Sequence, residues 1–103
     1  MSDIKRHGAN GRRALSVEHG GVLYTSGITS QLTDGGITEQ TQDVLRVIDN
    51  LLARRGIDKG RVLSATVTLA DMADYCQFNA VWDAWVVDGY EPARSVTQGA
   101  LAI

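Results

Sequence analysis

The run from Glu91 to Ala100 places one arginine, Arg94, at the mouth of an otherwise uncharged, strand-like stretch. Pro92 fixes its own φ and pushes Glu91 towards an extended conformation, so the chain enters Arg94 straight and with little freedom. In a strand, Arg94, Val96, Gln98 and Ala100 share one face, and Ser95, Thr97, Gly99 and Leu101 share the other. A guanidinium fixed at the start of a strand suits a planar carboxylate, which it can grip through two parallel hydrogen bonds. The local sequence alone favours the plainer reading, a surface arginine in a salt bridge.

Little else in the chain competes for a chemical role. The single cysteine, Cys76, has no internal disulfide partner and no neighbouring base, so it reads as a structural thiol. The two histidines have no cysteine or clustered carboxylate partners at metal-ligand spacing, so metal dependence is not expected. Ten Lys and Arg against twelve Asp and Glu give a net charge of −2, which argues against a nucleic-acid surface. The pairs Arg12-Arg13 and Arg54-Arg55 are short enough to be solvated surface. A glycine-rich phosphate loop, a paired-carboxylate signature and a nucleophile elbow are all absent.

The elements that would position Arg94 follow from periodicity. At 103 residues and 44% hydrophobic, the chain fits one soluble domain. A domain of this size buries roughly two thirds of its unfolded surface, so contacts with other subunits would add useful stability. No apolar run approaches the ~20 residues that span a bilayer, and residues 1–5 carry no signal-like apolar region; a cytoplasmic protein is expected. A short strand is expected around Ile4. Leu15 and Val17 begin a strand, Val22 to Ile28 form the next, and Gly20-Gly21 between them supplies the positive φ of a tight hairpin. Gly27 reads as a bulge, or as space left for an approach to the backbone.

Val44, Leu45, Ile48, Leu51 and Leu52 make the stripe of a helix from about Thr38, its expected N-cap, to Arg55, with Gly56 as the stop. Val62 to Leu69 alternates as a strand with Leu63, Ala65, Val67 and Leu69 on one face. Its threonine-rich face suits either solvent or another subunit. Asp74 and Gln77 resemble a capping box opening a second helix, with Phe78, Val81, Trp82, Trp85 and Val86 as its core stripe and its end near Asp88-Gly89. Strand, strand, helix, strand, helix, strand predicts an α+β domain with a mixed sheet and two helices on one face.

Five pieces in this order resemble the Rid family, the reactive intermediate deaminases also called YjgF-like or endoribonuclease L-PSP proteins, over most of residues 13–101. They are Gly21 to Gly27, Glu39-Gln40-Thr41, Val67 to Asp74, Phe78-Asn79 and Pro92 to Ser95. The resemblance implies a chorismate-mutase-like fold, a homotrimer, and pockets at the subunit interfaces. In deaminating members the substrate is an enamine or imine of a 2-keto acid, the products are the keto acid and ammonia, and the resemblance implies that no metal or organic cofactor is required. On that basis Arg94 would hold the substrate carboxylate, Ser26 and Gly27 would form a pocket wall, and Asn79 would sit beside the same cleft. A non-catalytic keto-acid binder is the alternative, and a ribonuclease or translation inhibitor is a weaker one.

Departures from the family pattern are also visible. Ile28 stands in place of a glutamine, Val96 in place of a cysteine near the substrate, and Arg13 roughly where deaminases offer an aromatic residue. The family continues into a last strand whose glutamate handles the catalytic water. That strand is expected to be missing from residues 1–103, here read as a single YjgF-like domain.

Overall fold

The computed structural model describes residues 3–32 and 34–101. The elements are β1 (Lys5–His7), β2 (Ser16–His19), β3 (Val22–Thr25), α1 (Ile37–Arg54), β4 (Ser64–Leu69), α2 (Tyr75–Trp85) and β5 (Ala93–Gln98). Short 3-10 turns, Lys59–Arg61 and Met72–Asp74, precede β4 and α2. Among the described residues, no helix is long and apolar enough to cross a membrane.

The N-terminal half is antiparallel. β2 pairs with β1 on one side and β3 on the other, with His19 opposite Val22. Gly20 and Gly21 close that hairpin at φ 60° and 79°, the primed turn that their sequence predicts. A Cβ at Gly21 would meet nothing within 4 Å, so the backbone alone sets the cost of a substitution. Gly21→Ala should therefore lower unfolding stability by about 1–2 kcal/mol, and Gly21→Asn by less, measured as shifts in urea midpoint. A β1 at Lys5–His7 lies one residue beyond the strand expected around Ile4.

α1 carries the expected stripe, with Leu45 and Leu52 buried. Its start differs from expectation: Gly36, in extended conformation, is the N-cap, and Thr38 lies inside the helix. The reason is the neighbouring loop. Gln40 Nε2 donates to Gly35 O at 2.7 Å, while Asp43 accepts from Ser30 Oγ and Gln31 N at 3.0 Å, so the entering chain is tied down without a capping side chain. Gly56, at φ 66°, ends the helix in a Schellman arrangement, with Gly56 N donating to Ala53 O and Ile57 N to Leu52 O.

The C-terminal half is a β-α-β unit. β4 and β5 are parallel, in register from Ser64 opposite Ala93 to Leu69 opposite Gln98. β4 is shorter than the expected Val62 to Leu69, and Leu63, assigned to its apolar face, is 71% exposed just before the strand. The rest of that face holds: Ala65 and Val67 are half-buried and Leu69 is buried, while Ser64, Thr66 and Thr68 are exposed in the single chain. α2 starts without the predicted capping box. Asp71, three residues earlier, accepts from Ala73 N at 2.9 Å and caps the 3-10 turn that runs straight into the helix, leaving Asp74 without a capping bond. The helix ends at Trp85, where Val86 becomes extended, rather than near Asp88.

Leu45 from α1, Leu69 from β4, and Phe78 and Trp82 from α2 form the buried core, with Val96 of β5 packed against it. Both helices therefore lie on one face of the β4–β5 pair. Parallel and antiparallel pairing are both present, as a mixed α+β architecture requires, but the strands form two hydrogen-bonded groups, β1-β2-β3 and β4-β5. Trp85 Nε1 donates to Asp49 Oδ1 at 2.9 Å, linking α2 to α1.

Candidate functional site

Arg94 is the second residue of β5, opposite Ala65 of β4, and it shares the inner, half-buried face with Val96. Its neighbours Ala93, Ser95 and Thr97 are exposed, the alternation that a strand with one covered face produces. The side chain therefore turns towards α2. There Nη1 donates to Asn79 Oδ1 at 2.9 Å and Nη2 donates to the Tyr75 hydroxyl at 3.3 Å. The guanidinium carbon lies 5.4 Å from the Trp82 ring centre, 5.6 Å from Phe78 and 6.0 Å from Tyr75, within reach of cation–π attraction.

These four partners occupy positions 75, 78, 79 and 82 of one helix. That i, i+3, i+4, i+7 spacing puts them in a single row, so α2 presents one continuous seat to the arginine. Tyr75 was not among the residues that the sequence singles out. Its spacing of three residues to Phe78 and four to Asn79 places it on their helix face, but that spacing alone does not mark it as chemical.

The electrostatics depart from the salt bridge favoured by the local sequence. Among the described residues, ion pairs join His7 to Glu18 and Arg46 to Asp43, and no carboxylate lies within 4 Å of Arg94. Its charge is supported by an amide oxygen, a phenol and aromatic faces, all of them uncharged. A guanidinium has five N–H donors. Asn79 and Tyr75 each engage one of them, so further donors remain for a ligand oxygen.

Ser26 and Gly27 lie just beyond β3. Ser26 N donates to Leu15 O at 2.9 Å, and Ser26 Oγ accepts from Arg13 Nη1 at 2.6 Å. Gly27 is not in a strand, so it makes no bulge; it is exposed, its φ is not positive, and an added Cβ would meet nothing within 4 Å. The structure thus brings Arg94 and Asn79 together, and Ser26 together with Arg13. Among the described residues no hydrogen bond joins the two clusters within one chain. Of two surface concavities, one of about 500 Å³ beside Leu63 and Tyr90 touches neither cluster, and one of about 200 Å³ beside Asp83 and Glu91 shares only Trp82 with the seat of Arg94. Cys76, expected as a structural thiol, is exposed on α2.

Fold and site together define a small α+β chain that seats the Arg94 guanidinium against a helix, with no carboxylate partner among the described residues. Its residues 5–102 match the family model described as Endoribonuclease L-PSP. The chain is 40% identical over 98 residues to the RutC family protein YoaB of Escherichia coli, covering 95% of this chain and 85% of that one. A solved member of the YjgF protein family from Neisseria meningitidis superposes with a TM-score of 0.89 at 42% identity, over 98% of this chain and 84% of that one. The mouse 2-iminobutanoate/2-iminopropanoate deaminase is 30% identical over 106 residues, covering 97% of this chain and 78% of that one. The chain belongs to the endoribonuclease L-PSP family, the YjgF or Rid proteins.

Proposed function

We propose that the protein binds small 2-imino and 2-keto acids at Arg94 and hydrolyses the imines to keto acid and ammonia. The observation that carries this reading is the half-buried guanidinium seated on α2 without a carboxylate partner among the described residues. An anion of matching planar shape would complete its hydrogen bonding. The similarity to the mouse 2-iminobutanoate/2-iminopropanoate deaminase supports the choice of anion.

The chemistry asks little of the protein. With the carboxylate fixed, the C=N carbon is oriented for attack by water; the C–O bond forms, protons pass from the water to nitrogen, and ammonia leaves as the C–N bond breaks. Orientation of this kind can remove much of the barrier without a strong nucleophile. Ser26 and Gly27 would enter the same pocket from a neighbouring copy in a homotrimer. Among the described residues no hydrogen bond links them to Arg94 within one chain, which is compatible with that arrangement.

Ammonia and keto-acid release from freshly generated 2-aminoacrylate is the test, run on protein whose solution mass has been measured. A rate above buffer is expected, and a rate equal to buffer from the folded oligomer would overturn turnover. A second reading, capture without turnover, draws on one observation. Among the described residues, no carboxylate hydrogen-bonds to Arg94, Asn79 or Ser26, so the cluster offers a cation, an amide and hydroxyls but no carboxylate base. Stabilisation by 2-oxobutanoate without ammonia release from the imine would select it.

A further inference from the structure

We propose that the Tyr75 hydroxyl is a second donor to the ligand carboxylate, forming a clamp with Arg94. This rests on the carboxylate reading of Arg94 and adds a residue to it. Tyr75 opens α2, is 36% exposed, and its hydroxyl sits 3.3 Å from Arg94 Nη2.

The direction of that hydrogen bond carries the inference. Arg94 has only donors, so the phenol oxygen must be the acceptor. The tyrosine's own proton is then directed away from the guanidinium, and no described residue accepts it. An anion drawn to the free N–H groups of Arg94 arrives beside a polarised O–H. Donation by the Tyr75 hydroxyl to such an anion is also strengthened by the hydrogen bond it accepts from Arg94, because hydrogen bonds in a chain polarise one another. The ring lies 6.0 Å from the guanidinium carbon, which holds the hydroxyl in place from the side.

Asn79 cannot take this role through the same atom. Its Oδ1 is an acceptor already engaged by Arg94 Nη1, and it is half-buried behind the guanidinium. Asn79 and the aromatic rings orient the arginine, whereas Tyr75 stands at its exposed rim. The ligand class that fits two convergent donors of this kind is a monocarboxylate presenting both oxygens.

The experiment compares the full chain, Tyr75→Phe and Arg94→Ala by calorimetric titration with 2-oxobutanoate. Tyr75→Phe keeps the ring and removes only the hydroxyl. It should weaken binding about tenfold, the scale of one hydrogen bond to a charged group, with an unchanged melting temperature. Butanoate, which lacks a near-ultraviolet band of its own, should shift tyrosine absorption to longer wavelength in the wild type and not in Tyr75→Phe. Binding by Tyr75→Phe within twofold of wild type, while Arg94→Ala has lost it, would overturn the clamp and leave the Arg94 reading intact. Weaker binding without any tyrosine shift in the wild type would also overturn it, since a residue that merely positions Arg94 donates nothing to the ligand. Absence of binding by the wild type would instead overturn the carboxylate reading itself.

Discussion

2-Oxobutanoate is expected to raise the melting temperature of the wild-type protein, and Arg94→Ala is expected to abolish that shift. A ligand stabilises only the state it binds, so the shift in melting temperature reports occupancy directly. Two charge-assisted hydrogen bonds at about 1.5–3 kcal/mol each correspond to a loss of roughly a hundredfold or more in affinity. The fold itself should tolerate the change, because the two groups that lose a donor, Asn79 Oδ1 and the Tyr75 hydroxyl, lie in half-buried or exposed positions that water can reach. Arg94→Lys should recover little of the shift: an ammonium keeps the charge but not the planar fork that meets both carboxylate oxygens. An undiminished shift in Arg94→Ala would move the binding site away from β5.

Trp82→Ala should cost about 3–5 kcal/mol of unfolding free energy, the usual penalty for emptying an indole from a core. Trp82 is 7% exposed and packs with Leu45, Leu69 and Phe78. It also lies between Phe78 and Trp85 in tilted ring contacts, with ring centres 6.0 and 5.5 Å away. Domains of this size have total stabilities of about 5–15 kcal/mol, so the loss is a large share. A urea titration of Trp82→Ala beside Trp82→Phe measures it; equal midpoints for wild type and Trp82→Ala would contradict the core assignment. The same ring forms the nearest aromatic face under Arg94, so the variant also removes part of the arginine's seat.

The parts of this fold that could be read from sequence are those decided within a few residues. Gly20-Gly21 announced the hairpin because positive φ is a property of the residue itself. The α1 stripe and its Gly56 stop were legible for the same reason. The helix starts differ from expectation for two reasons: at α1 a distant contact ties down the entering chain, Asp43 reaching Ser30 thirteen residues away, and at α2 a 3-10 turn capped locally by Asp71 runs into the helix and leaves Asp74 without a capping bond. At the candidate site, the family resemblance pointed to Arg94 and Asn79, and the structure joins them by a hydrogen bond of 2.9 Å. Tyr75 was missed because its partner lies nineteen residues further along the chain, and a tyrosine at a helix start carries no chemical signature of its own. The inward turn of Arg94 was likewise invisible locally, since it depends on α2 covering that face of β5.

The parallel pairing of β4 with β5 also governs when the site can exist during folding. The hairpin joining β2 to β3 needs only a two-residue turn, whereas Ser64 meets Ala93 only after the whole α2 segment has been brought back across the strands. Local contacts of the first kind form fast, and closures of the second kind are slow because chain entropy is lost before the pairing repays it. Arg94 reaches Asn79 only when that closure is complete. The arginine's seat is therefore expected to form late in folding, and helical signal from α1, formed within one local segment, can appear in chains where Arg94 has not yet met Asn79.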